Sequence, residues 1–224
     1  PDALFRIASL SKPITAAAVL RLVEDGKLRL DDRIVEVLDL EGAGMPSISD
    51  PRLRTVTIRQ TLQHLGGWDR DLAFDPMFQD RRISRSLGVP RPISTEHIIR
   101  FMLGQPLQHD PGTKYSYSNF GYCLLGRAIE RRGGMPYGRF VRERVLAPLG
   151  IAAPRLGGSR LEDRAPGEVT YDAGLGSPYG TFRLENMDAR RGWIASAIDM
   201  ARFVAAFDDP AACRILSRAS VEAM

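Results

Sequence analysis

The sequence predicts a predominantly α-helical body, and three observations carry that prediction. Apolar residues recur at helical spacing through most of its 224 residues. Several of these runs are headed by Ser or Thr, in places with a polar partner three positions on, a helix-start signature. Strand period is confined to one short stretch, Glu168-Val-Thr-Tyr-Asp172.

Taken in order, Pro13 suits a first helical turn, and Ile14, Ala17, Ala18 and Leu22 follow on one face until Gly26 supplies the stop. This helix should be largely buried. Thr57 with Gln60 heads a helix carrying Ile58, Leu62 and Leu65, and Ser94 heads another through Ile98 and Met102 to Gly104. Ser118 or Asn119 begins a helix with Tyr122, Leu125 and Ile129, ending at Gly133-Gly134, so Tyr117 falls at a loop-to-helix junction. Pro136 opens the next, which ends before Pro148. From Arg155 to Arg191 the chain is rich in glycine and proline, and a long irregular connection is expected there. Ser196 and Asp199 then cap a helix with Met200, Phe203, Val204 and Phe207 on its inner face, and Ser217 starts a last one that runs to Met224 unclosed. No internal repeat is present.

Composition suits one globular domain, with 44% hydrophobic and 26% charged residues. Charges interrupt every apolar stretch before the roughly 20 residues that span a bilayer, so no membrane-spanning segment is expected. The net charge is +4, but Arg81-Arg82, Arg131-Arg132 and Arg190-Arg191 stand among acidic residues without an aromatic stacking pattern. They read as solvated helix faces, and no nucleic-acid partner is expected. Cys123 and Cys213 lack metal-ligand spacing and read as buried thiols, which leaves the redox compartment open. His64, His97 and His109 form no cluster, so no metal is expected.

The chemistry lies elsewhere. Of 31 basic residues only Lys12, Lys27 and Lys114 are lysines, and Lys12 follows Ser9 by three positions. A lysine amine can lose its proton when desolvated, whereas a guanidinium cannot, so Lys12 is a candidate base beside a candidate nucleophile. With 14 serines and 3 lysines, an accidental S-x-x-K is expected about 0.2 times. A second signal is Tyr117-Ser-Asn119, expected by accident roughly 0.05 times from 6 tyrosines and 2 asparagines.

On these residues, Ser9-Leu-Ser-Lys12 and Tyr117-Ser-Asn119, the chain resembles the serine β-lactamase and penicillin-binding protein superfamily, in its class C β-lactamase, D,D-peptidase and esterase branch. Asp25-Gly-Lys-Leu-Arg-Leu-Asp-Asp-Arg33, Thr57 to Trp68, and Gly192 to Phe203, the last read as a family helix, extend the likeness over essentially all of the chain. A class A enzyme fits poorly, because its S-D-N is Y-S-N here; G-x-S-x-G elbows and Gly-rich phosphate loops are absent.

The resemblance implies an α+β fold, a helical domain packed on an antiparallel sheet, with strands before the serine and after the Y-x-N region. Most of that sheet should lie outside residues 1–224, leaving a partial domain that is mainly its helical part. The family's third motif, K-T-G or H-x-G on a strand downstream of Y-x-N, is absent: no lysine follows Lys114 and no histidine follows His109. His64-Leu-Gly66 fits H-x-G by letter but precedes Tyr117 at a helix end, and reads as a decoy. The start at Pro1 without methionine and the unclosed last helix also read as a fragment, which alone should turn over weakly or not at all.

The implied activity is serine hydrolysis of a small-molecule amide or ester without a cofactor. Ser9 is the nucleophile, Lys12 its base, Tyr117 the proton relay and Asn119 a substrate-binding group. Y-S-N does not separate D,D-peptidase, β-lactamase and esterase. The alternative is a non-catalytic ligand-binding or sensor domain of the same fold. Ser11 reads as a local cap, and Trp68, Trp193 and Tyr115 as packing residues. A periplasmic or secreted location suits the family, and a cytoplasmic one its esterase members.

Overall fold

The computed structural model describes residues 2–171, 177–180 and 183–224. In chain order its regular elements are β1 (Phe5–Arg6), α1 (Ser11–Glu24), α2 (Ile34–Leu38), α3 (Ile58–Leu62), α4 (Asp80–Leu87), α5 (Thr95–Leu103), α6 (Asn119–Gly133), α7 (Tyr137–Val141), β2 (Arg155–Leu156), α8 (Asp188–Arg191), β3 (Trp193–Ala195), α9 (Ala197–Ala205) and α10 (Arg218–Glu222). The class is α+β: helices with a small antiparallel sheet in the order β1-β3-β2. The chain divides into two compact units, Pro1–Lys27 with Gly133–Met224, and Leu28–Arg132.

In the first unit α1 is the central helix, because small and branched apolar residues surround its axis. Ile14, Ala17, Ala18, Val19 and Leu22 are each at most 1% exposed. Gly26, at φ +67°, ends it in the left-handed conformation that glycine adopts freely. A buried polar chain fastens α1 to its neighbours: Trp193 Nε1 donates to the Tyr137 hydroxyl at 2.9 Å, which lies 2.7 Å from Thr15 Oγ1, itself 2.5 Å from the Ala189 carbonyl. Four elements, β3, α7, α1 and α8, thus share one hydrogen-bond path.

The strand β3 pairs Ala195 with Phe5 and Ile194 with Arg155. Its three residues are fully buried, so the opening of the 192–203 stretch is a strand, and the expected helix begins only after Ser196, whose Oγ accepts from Asp199 N. The expected strand at 168–172 reduces to an isolated parallel bridge between Leu4 and Glu168, and Asp172 lies outside the described residues. The described part of 155–191 holds β2, α8 and short 3-10 turns. The last helix closes at Glu222 rather than running to Met224.

In the second unit α3 and α5 begin with full capping boxes, Thr57 with Gln60 and Ser94 with His97. α3 stops at Leu62, short of the expected Leu65, because His64 turns left-handed at φ +59°. Ser118 Oγ accepts from Gly121 N at 3.1 Å and so caps α6. The hydroxyl of Tyr122 donates to the Leu62 carbonyl at 3.2 Å, tying α6 to the end of α3. Asp50 accepts from Leu107 N and from the Arg52 guanidinium, which holds its carboxyl down at about 2. Cys123 is buried in α6, Cys213 is half-buried, and no disulfide joins them. Among the described residues no helix is long and apolar enough to cross a membrane.

Candidate active site

Ser9 sits in a 3-10 turn, Ala8–Leu10, between β1 and α1. The turn is sharp because Ala8 takes φ +46°, a left-handed value that L-residues rarely adopt. Ile7 N donates to the Trp193 carbonyl at 3.1 Å, so the sheet fixes the chain just before the turn. Ser9 is exposed, whereas Lys12, in the first turn of α1, is only 5% exposed. Lys12 Nζ donates to Ser9 Oγ at 3.4 Å and to the Arg190 carbonyl of α8 at 3.3 Å. The spacing of three thus brings amine and hydroxyl together, with the amine aimed from below by a backbone oxygen.

Ser11 does not act as a cap. It is buried, and its Oγ accepts from Trp193 N at 3.4 Å, linking α1 to β3. Trp193 packs in the interior of its unit as expected; Trp68 is buried too but also lines the cavity beside Asn119, and Tyr115 is 63% exposed, touching the edge of His64.

Tyr117 lies in the loop before α6 and is half-buried. Its ring stacks on His64 with centroids 4.7 Å apart and a tilt of 34°, and the Arg70 guanidinium stands 4.8 Å from its centroid. The loop is pinned below by Asp69, whose Oδ2 accepts from Ser116 Oγ at 3.0 Å and lies 2.9 Å from His109 Nε2. That histidine bond holds the Asp69 carboxyl well below the usual carboxylate range. Gly67, at φ +91°, lets its carbonyl take both Gln108 N and His109 N; a side chain there would meet the His109 carbonyl.

Asn119, the first residue of α6, is buried and donates Nδ2 to Asp75 Oδ2 at 2.6 Å. Both residues line a cavity of about 120 Å³ with Trp68, Phe74, Met102 and Phe120. The structure therefore joins Ser9 to Lys12 in the first unit and carries Tyr117 and Asn119 on one junction in the second. Arg70 and Asp75 escaped the sequence reading, and Arg190, read with Arg191 as part of a solvated helix face, is instead fully buried. Arg190 contributes a backbone oxygen, for which no side-chain signal exists, and Asp75 is visible in sequence only as a turn residue before Pro76. Among the described residues no group of three His, Cys, Asp or Glu side chains is placed to hold a metal.

Helices with a small antiparallel sheet, and an S-x-x-K pair that runs from the 3-10 turn into the first turn of α1, define a fold class, and residues 1–223 match the family described as Beta-lactamase; the chain belongs to that family. Two curated relatives frame it. It is 34% identical over 220 residues to "Putative fimbrial assembly protein FimD, serogroup D" of Dichelobacter nodosus, covering 95% of this chain and 51% of that protein. To Esterase EstB of Burkholderia gladioli it is 34% identical over 151 residues, 67% of this chain and 38% of the other. The solved D-amino acid amidase of Ochrobactrum anthropi SV3 superimposes with a TM-score of 0.71 at 27% identity, over 98% of this chain and 60% of that one. The chain spans about half the length of the FimD relatives it matches.

Proposed function

We propose that this chain supplies the nucleophile and bases of a serine hydrolase that cleaves an amide or ester through an acyl-enzyme on Ser9. The observation that carries this reading is the 3.4 Å approach of a buried lysine amine to an exposed serine hydroxyl. A serine hydroxyl is a weak nucleophile until a base takes its proton, and burial is the condition under which a lysine can be that base. Lys12 takes the Oγ proton as Oγ bonds to the carbonyl carbon. Tyr117 delivers a proton to the departing amine or alcohol as that bond breaks. Tyr117 then takes a proton from water, whose oxygen attacks the acyl-Ser9 ester, and Lys12 gives its proton back to Oγ as the ester bond breaks, which restores the Ser9 hydroxyl.

Asn119 hydrogen-bonds the substrate's amide or ester flank, and the cavity beside it, walled by Trp68, Phe74, Met102 and Phe120, suits an apolar substituent. The names esterase and amidase among the similar proteins support ester and amide substrates; D,D-peptidase and β-lactamase activity use the same steps. The full-length protein that contains this chain and its Ser9→Ala variant are treated with a fluorophosphonate probe and a fluorescent penicillin. Labelling by the fluorophosphonate alone, lost in Ser9→Ala, identifies an esterase, and labelling by both identifies a penicillin-recognising enzyme. If neither probe labels Ser9, the acyl-enzyme reading is wrong, and reversible penicillin binding in that case would favour a non-catalytic binding domain.

A further inference from the structure

We infer that His64 is a positioning residue that holds Tyr117 in its working orientation, a step that rests on the proton-transfer role given to Tyr117 above. His64 is one of three non-glycine residues at positive φ among the described residues, and the turn it makes serves a purpose. It directs the backbone oxygen and the imidazole of one residue to the same passing loop. The His64 carbonyl accepts from Ser116 N at 2.9 Å, and His64 Nδ1 accepts from Ser118 N at 3.1 Å. The residues on both sides of Tyr117 are therefore fastened to a single residue, and the ring between those two bonds stacks on the Tyr117 ring.

The support is itself fixed. Tyr122 packs against the same imidazole with centroids 5.1 Å apart, and its hydroxyl is tied to Leu62, the last residue of α3. Burial pushes the Tyr122 phenol up to about 12, so it stays neutral beside Tyr117. To accept at Nδ1 the imidazole must keep a lone pair there, which places the proton of the neutral ring on Nε2. The requirement at position 64 is thus twofold: a residue that tolerates a left-handed backbone, and an acceptor at the Nδ1 position.

Two substitutions separate these requirements. Asn tolerates the left-handed region and carries Oδ1 close to the place of Nδ1, whereas Gly tolerates it and offers no acceptor. The full-length protein that contains this chain is compared as wild type, His64→Asn and His64→Gly. Tyr117 is followed by NMR of 13Cζ-labelled tyrosine, assigned with Tyr117→Phe, alongside steady-state ester hydrolysis. In His64→Gly the Tyr117 resonance should shift or broaden and kcat should fall by roughly 10²-fold, as for a catalytic group displaced by about 1 Å. KM and the rate of fluorophosphonate labelling at Ser9, which does not need an acid for its leaving group, should stay near wild type. His64→Asn should restore the resonance and recover about tenfold of the lost kcat.

An unmoved Tyr117 resonance with wild-type kcat in His64→Gly overturns the inference. So does a His64→Asn variant as impaired in both readouts as His64→Gly. If wild-type Ser9 is never labelled but the resonance moves in Gly and returns in Asn, the holding role stands and the hydrolase reading fails.

Discussion

Ser9 and Lys12 differ sharply in exposure, and that asymmetry suits the roles proposed for them, a nucleophile open to solvent and a base kept from water. Lys12→Arg preserves a cation of similar reach but removes the capacity to accept a proton. It should lower the rate of Ser9 labelling by roughly 10²–10⁴-fold, the ordinary contribution of a positioned base. Lys12→Met, which replaces the buried amine with an apolar group of similar length, should lose as much activity with the melting temperature unchanged or raised, read by calorimetry on the same samples. Labelling by Lys12→Arg at the wild-type rate would remove Lys12 from the role of base. This pair was legible in the sequence because lysine is so scarce that its placement carried information. The Arg190 carbonyl that aims Lys12 was not, since any residue type offers the same oxygen.

Elements with chemical start signals were the ones read correctly. The boxes at Thr57, Ser94 and Ser196 each satisfy the backbone N–H groups that a helix leaves open, and all three head helices at the expected residues. The strands β1, β2 and β3 went unread because two or three residues are too few for a period of two to show, and β3 is buried throughout rather than alternating. The helix α4 showed only as the solvated face around Arg81-Arg82 and its bounds went unread, because it carries three arginines and buries only Ile83. Two of the loops are held by carboxylates as well as by apolar contact. Asp50 and Asp69 both titrate below their unfolded values, so each contributes stability that is complete above about pH 4 and is lost as pH falls through its lower folded value. The melting temperature should therefore drop between about pH 4 and pH 2. Asp50→Asn should lower it at pH 7, at roughly 2–4 °C for each kcal/mol lost, and flatten the acid limb; an unchanged acid limb in that variant would show that Asp50 does not contribute to it.

For the whole molecule, membership of the Beta-lactamase family and the α+β class both follow from motifs that the sequence displays openly, while His64 shows how a literal match can mislead. As an H-x-G it is a decoy, because it follows α3 rather than lying on a strand; as a neighbour of Tyr117 it belongs to the candidate site, a relation 53 positions apart in sequence that no local pattern encodes. The left-handed turn at Ala8 bears on the future of the protein under selection. An alanine held at positive φ costs about 1–2 kcal/mol, and Gly at that place would recover roughly 0.5–1 kcal/mol after its greater freedom in the unfolded chain is counted. Ala8→Gly should raise the melting temperature by a few degrees and slow the labelling of Ser9, because the residue before the proposed nucleophile no longer has a side chain to restrict the turn. Screening for heat resistance alone would then enrich the one replacement that blunts the reaction, so thermal hardening and catalytic speed would pull this chain in opposite directions at a single methyl group.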